Sequence, residues 1–220
     1  KEMKSIITIA SIAALAGSAS ANLVVSEFLF STTGGDSEYV ELYNDGFGGN
    51  TSVDISGWTF ERWESDNAEG DFGTQTFGVT VDAGTVLGVG DVWTLGNSNA
   101  SSEYGSGLFN QSFSDSMENG SGTFVWRDSG GVAQSVLYTE DPDTDGATPI
   151  FTPDVTFGPD GPFLASGYYR TDAAGSFTTT DFFNGSPNNP GAQNYAPVPT
   201  PGALALLGLG GLTAARRRRA

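Results

Sequence analysis

Histidine and cysteine are both absent from the 220 residues, and lysine plus arginine number only 9 against 26 aspartates and glutamates. Without thiols or imidazoles the chain cannot form a disulfide, a thiolate or imidazole metal site, a thiol nucleophile or a Ser-His-Asp triad. The chemistry left to it is that of oxygen: carboxylates, hydroxyls and hard cations. The scarcity of basic residues argues against nucleic acid as a partner, because phosphate binding needs clustered Lys and Arg. Six of the nine basic residues also sit at the extreme ends, as Lys1, Lys4 and Arg216 to Arg219. The 31 Gly and 10 Pro stay below the roughly 25–30% that marks low-complexity disorder, and 15 Phe, 7 Tyr and 4 Trp are enough to build a core.

The two ends read as processing and sorting segments. Lys1 and Lys4 precede an apolar run from Ile6 through Ala16, followed by small residues up to Ala21. This is the order of a secretory signal over residues 1–21, with Ala19-Ser20-Ala21 as the cleavage site. No Cys follows the run, which excludes an N-terminal lipid anchor. At the other end, residues 196–220 carry Pro199-Thr200-Pro201, then Ala203 to Ala215, apolar apart from Thr213, then Arg216, Arg217, Arg218 and Arg219. Such a helix reaches roughly 20 Å, short of the ~30 Å hydrocarbon core, unless the arginines snorkel or the bilayer thins. The arginines favour the cytoplasmic side. Gly208, Gly210 and Gly211, with no polar face beside them, suit a helix in lipid better than one in water.

This tripartite tail resembles the PEP-CTERM sorting signal of exported bacterial proteins, in which a Pro-Glu-Pro motif, a short membrane helix and an Arg cluster are read by an exosortase. Thr200 stands where the motif has Glu. With both ends removed, the 9 basic and 26 acidic residues fall to three and twenty-five, a net charge of about −22 on the exported body. Such a surface repels nucleic acid and anionic membranes and accumulates cations.

Between Asn22 and Tyr195 there is no sustained 3.6-residue apolar period. Short β-rich runs bounded by Gly, Asn, Asp and Ser take its place. Strands are predicted over Leu23 to Phe30, Glu38 to Tyr43, Val53 to Trp63, Gln75 to Val81, Val92 to Leu95, Gly122 to Arg127, Val132 to Tyr138 and Ser166 to Arg170. Eight strands without helices, and with no linker or internal repeat, predict a single all-β sandwich domain over residues 22–195. In the second strand Val40 and Leu42 share one face, and Tyr39, Glu41 and Tyr43 the other. Parity breaks in the third, where a bulge at Ser56-Gly57 would turn Ile55, Trp58 and Phe60 toward one core. Asp128-Ser129-Gly130-Gly131 reads as a hairpin turn.

The order Val24-Val25-Ser26-Glu27-Phe28, Glu38-Tyr39-Val40-Glu41-Leu42-Tyr43-Asn44 and Val53-Asp54-Ile55-Ser56-Gly57-Trp58-Thr59-Phe60 resembles the opening of the lamin-tail domain (LTD). Ala83 to Leu95 is similar to the segment after that domain's middle, and Thr123 to Tyr138 to its late hairpin. Ser186-Pro187-Asn188-Asn189-Pro190-Gly191-Ala192-Gln193-Asn194 looks like its closing segment. Stretches around Ser65 to Gly73, Asn97 to Ser116 and Thr139 to Phe163 look like insertions. The resemblance implies an immunoglobulin-like β-sandwich, here flanked by an N-terminal signal helix and a short C-terminal transmembrane helix. Members occur in nuclear lamins and in exported bacterial proteins, where the domain binds or scaffolds, and no catalytic residue set is shared that could be carried over.

Three constellations are candidates for chemistry. Asp141-Pro142-Asp143-Thr144-Asp145-Gly146 places three carboxylates at alternate positions before a turn glycine, a spacing that wraps a hard cation such as Ca2+ in one loop. An EF-hand would need a Glu where Thr152 stands, so an unliganded acidic turn is the alternative; Glu140, Asp154 and Asp160 are available to complete coordination. Glu27 and Glu41 sit among apolar strand residues and suit either an acid–base pair in a cleft or carboxylates accepting backbone N–H bonds. Trp58, Trp63, Trp93 and Trp126 with Tyr168 and Tyr169 suit a sugar platform, although Trp58 and Trp126 fit a sandwich core better and Trp63, before an acidic loop, is the one expected at the surface.

The expectation is therefore an exported, surface-sorted bacterial module that is not an enzyme. It would serve adhesion, the envelope or the extracellular matrix, held at the membrane by its tail until an exosortase-like enzyme processes it. Its partners would be the export machinery, that enzyme, and extracellular polysaccharide or envelope proteins. The alternatives are a secreted carbohydrate-binding module and a small calcium-dependent hydrolase using Asp and Glu.

Overall fold

The computed structural model describes residues 23–30, 37–46, 52–66, 71–114, 117, 121–139, 147–157, 167–180 and 189–197. In chain order these hold β1 (Leu23–Leu29), β2 (Tyr39–Asn44), β3 (Ser52–Asp54), β4 (Thr59–Glu64), β5 (Gln75–Thr80), β6 (Val86–Gly88) and β7 (Val92–Asn97). Helix α1 (Ser98–Tyr104) follows, then β8 (Gln111–Phe113), β9 (Gly122–Arg127), β10 (Ala133–Thr139), β11 (Val155–Phe157), β12 (Gly167–Arg170) and β13 (Phe177–Thr180). They form a six-stranded sheet in the order β13-β12-β1-β2-β7-β8, a five-stranded sheet in the order β11-β10-β9-β4-β5, and a two-stranded ribbon of β3 and β6. The all-β architecture expected from the alternation is thus present.

Each sheet contributes its apolar face to one core. Phe28, Phe30, Val40, Leu42, Trp93, Leu95 and Tyr168 come from the larger sheet and meet Phe60, Phe77, Phe124, Trp126 and Leu137 from the smaller. Phe124 lies at the centre, its ring 4.7 Å from Phe28, 5.9 Å from Phe30 and 6.0 Å from Phe60. Burying each such ring contributes roughly 1.5–3 kcal/mol, and edge-to-face pairs add to that.

The expected third strand is two strands. After β3 the chain makes a tight turn in which the Trp58 N–H donates to the Ile55 carbonyl at 3.0 Å and Gly57 takes φ +72°. β4 then leaves in the other sheet, paired with β5 and β9. A turn that switches sheets, and not a bulge, brings Val53, Ile55, Trp58 and Phe60 into the same core. A bulge does lie in β1, where register with β2 slips between Val25 and Glu27.

The reading without helices also needs correction. α1 is a single short helix, begun by the Asn97 side chain accepting the Ala100 N–H at 2.9 Å and burying Ala100. Seven residues are too few to display a helical period. The segment looked like an insertion, yet it leads into β8, which joins the large sheet parallel to β7. β11 joins the small sheet in the same parallel manner. The hairpin between β9 and β10 is as expected: the Asp128 Oδ1 accepts the N–H groups of Gly130 and Val132, and Gly131 takes φ +83°.

Among the described residues no helix is long and apolar enough to cross a membrane. The expected signal segment, with Ala19 and Ala21, and the expected tail, with Pro199, Thr200, Pro201 and Arg216 to Arg219, lie outside the described residues.

Candidate functional site

The outer face of the large sheet carries an acidic pair that the core packing alone does not require. Alternation along β2 sends Val40 and Leu42 inward and Tyr39, Glu41 and Tyr43 outward. The bulge in β1 turns both Ser26 and Glu27 to the same outer side, and Glu27 falls directly opposite Glu41. A bulge often re-aims a side chain in this way. Register with β12 puts Tyr169 on the other flank of Glu27.

This face is covered by residues 189–197, which include the described part of the expected closing segment, so that Glu27 and Glu41 are both 0% exposed. The Asn189 N–H donates to Glu27 at 3.3 Å and the Gly191 N–H to the Glu41 Oε2 at 2.7 Å. From the sheet side, the Tyr39 hydroxyl donates to the Glu27 Oε2 at 2.7 Å and the Ser26 hydroxyl to the Glu41 Oε1 at 2.6 Å. Asn194 donates to the Ser26 carbonyl at 3.1 Å. Further along, the Tyr43 hydroxyl donates to the Tyr195 carbonyl at 2.9 Å, their rings stand edge to face at 5.1 Å, and the Tyr195 hydroxyl donates to Asp45. Gln193 donates to the Gly90 carbonyl beyond the sheet end. Gly191 takes φ +86°, a backbone region that favours glycine.

Burial pushes Glu27 up to about 8, reinforced by the charge of Glu41 and only partly offset by bonds from Tyr39, Asn189 and Asn194. Burial likewise pushes Glu41 up to about 7 against the bonds from Ser26 and Gly191. Two carboxyls opposite each other and shut off from water favour being protonated over carrying two charges. Burial also raises Tyr39, with Glu27 adding to the effect.

Residues 16–147 match the family model described as Lamin Tail Domain. The chain belongs to this family. The matched span contains β1 to β10 with both glutamates, whereas residues 189–197 lie beyond it. No curated protein matches the chain.

The other candidates fare differently in the lamin tail domain. Asp141, Asp143 and Asp145, with Glu140 and Asp160, fall outside the described residues. Asp154 is described: its Oδ2 accepts the Val136 N–H at 2.8 Å while its own N–H donates to the Val136 carbonyl, fastening the entry to β11. Thr152 is exposed. The aromatic platform is not assembled, because Trp58, Trp93, Trp126 and Tyr168 are core residues. Trp63, expected at the surface, is half-buried: its indole N–H donates to the Glu61 Oε2 at 2.9 Å and its ring stands edge to face against Phe151 at 5.4 Å. Arg127 completes that group, donating to Glu61 at 2.9 Å and lying over the Phe151 ring.

Two features of the site escaped sequence reasoning: the Ser26 bulge and the lid role of residues 189–197. The signal for the second was present, since Glu27 and Glu41 are charged residues inside apolar runs and need partners when buried.

Proposed function

We propose that this lamin tail domain is the exported body of a bacterial surface protein that binds or scaffolds and does not catalyse. The observation that carries the non-catalytic half is the cover over Glu27 and Glu41. A hydrolase built on that pair would need both substrate and water between the carboxyls, yet their oxygens accept bonds from Asn189, Gly191, Tyr39 and Ser26. The export half rests on the order of the ends: a signal-like segment over residues 1–21 and a PEP-CTERM-like tail over 196–220, with an acidic domain between them.

On this reading the export machinery and an exosortase-like enzyme act on the two ends, the tail helix holds the protein at the membrane until processing, and the domain faces envelope proteins or extracellular polysaccharide. An acidic loop at Asp141, Asp143 and Asp145 that takes up Ca2+ would suit that setting. Mass spectrometry of the mature protein from its native cells should find the chain beginning after Ala21 and cleaved near Pro201. Intact ends on cytoplasmic protein would refute export. The purified domain should turn over no polysaccharide, phosphodiester or peptide substrate; reproducible turnover abolished by Glu41→Gln would refute the non-catalytic reading.

A further inference from the structure

The closing segment is tied to the sheet through a cluster whose charge state decides whether the tie holds. Its two backbone donors, the Asn189 and Gly191 N–H groups, both end on carboxyls. Those carboxyls stand opposite each other across one strand pair, and neither reaches solvent. The titratable groups that face the pair from the elements packed on it are mostly tyrosines. β2 brings Tyr39 and Tyr43, the residue after it Asp45, β12 Tyr169, the segment itself Tyr195, and α1 reaches Tyr39 through Tyr104. Arg170 on β12 belongs by alternation to the inner face with Tyr168 and donates to the carbonyls of Asp172 and Ala173, while its charge acts on Tyr195 of the segment.

We propose that residues 189–197 form a pH-responsive strap, latched while Glu27 and Glu41 are protonated and released when both ionise. The physical basis is the difference between two states. Under the strap the second charge must be buried beside the first, at high cost. With the strap lifted, both carboxylates face water on an exposed sheet surface. Alkaline conditions therefore favour the lifted state, and burial that raises both groups is the same preference seen from the proton's side. The sandwich core is on the opposite face of the sheet and keeps its packing. In the sequence, the sorting motif of the proposed function, Pro199-Thr200-Pro201, follows directly on this strap.

The test is hydrogen–deuterium exchange of the full chain between pH 6 and 9, with protection corrected for the intrinsic pH dependence of exchange. Peptides covering 189–197 should lose protection about tenfold or more across that range while those covering β1 and β9 hold theirs. The Glu27→Gln/Glu41→Gln variant should retain strap protection at pH 9. Strap protection that stays constant with pH in the unmodified chain overturns the proposal, as does equal loss in the double variant. A second readout needs no variant: the Gly191 amide proton resonance should shift and broaden as Glu41 ionises, and a flat titration overturns the proposal.

Discussion

The stability of the whole domain should fall as pH rises from 5 to 8, contrary to what a chain dominated by salt-bridged carboxylates would do. Glu27 is pushed from 4.5 to about 8 and Glu41 from 4.5 to about 7 by folding. Between those limits the folded chain binds protons that the unfolded chain has released. The stabilisation is therefore fully present below about 4.5 and is lost as pH climbs through 7 and 8. At about 1.36 kcal/mol per unit, Glu27 alone accounts for about 4 kcal/mol lost by pH 8 and Glu41 alone for about 3. Because the pair titrates together, the total is smaller than the sum, but it is large against the 5–15 kcal/mol of a typical domain. Carboxyls with the opposite shift act elsewhere. Burial raises Glu61, but bonds from Trp63, Arg127 and Thr59 outweigh it and hold the group below its ordinary range. Bonds from Ser56 and Ser176 lower Asp54 and Asp172. Their contributions are lost only below about pH 4.5, outside the window. Urea midpoints at unit intervals from pH 5 to 8 measure the effect, and Glu27→Gln, which keeps shape without charge, should flatten the slope by about half. A midpoint that is constant or rises over this range, or a slope unchanged in Glu27→Gln, would refute the reasoning.

Phe124→Ala should cost roughly 3–5 kcal/mol, since the ring fills the centre of the core between Phe28, Phe30 and Phe60; a loss under 1 kcal/mol in urea unfolding would contradict that packing. Gly57→Ala should cost roughly 1–2 kcal/mol from backbone strain alone, because φ is +72° while a Cβ there meets only Ser129 at an ordinary 3.8 Å; calorimetry should find the cost absent if the turn is not left-handed. Calcium should raise the melting temperature of the unmodified chain and Asp143→Ala should remove the shift; an unmodified chain whose melting is indifferent to calcium has no such site.

Alternation and turn chemistry are local properties, which is why so much of the strand framework could be read directly. The eight predicted segments all carry strand, and the Asp128 to Gly131 hairpin and the inward pair Val40 and Leu42 stand where the pattern puts them. The splitting of β3 from β4 was not legible, because a bulge and a sheet-switching turn at Ser56-Gly57 leave the same inward residues and differ only in their hydrogen-bonding partners. The short strands β6, β8, β11 and β13 were missed for a related reason: three or four residues carry too little period to be seen, and their pairing is supplied by β3, β7, β10 and β12.

The composition by itself settled that no thiol or imidazole chemistry is available and that the chain is strongly anionic. The order of residues also placed Glu27 and Glu41 among apolar neighbours, which marked them without saying what they do. Their role was decided only when the chain closed on itself: the donor to Glu27 comes from Asn189, 162 residues away, and the donor to Glu41 from Gly191, 150 residues away. Desolvation is a property of what covers a group, and the cover arrives from a part of the sequence that carries no local sign of where it will land.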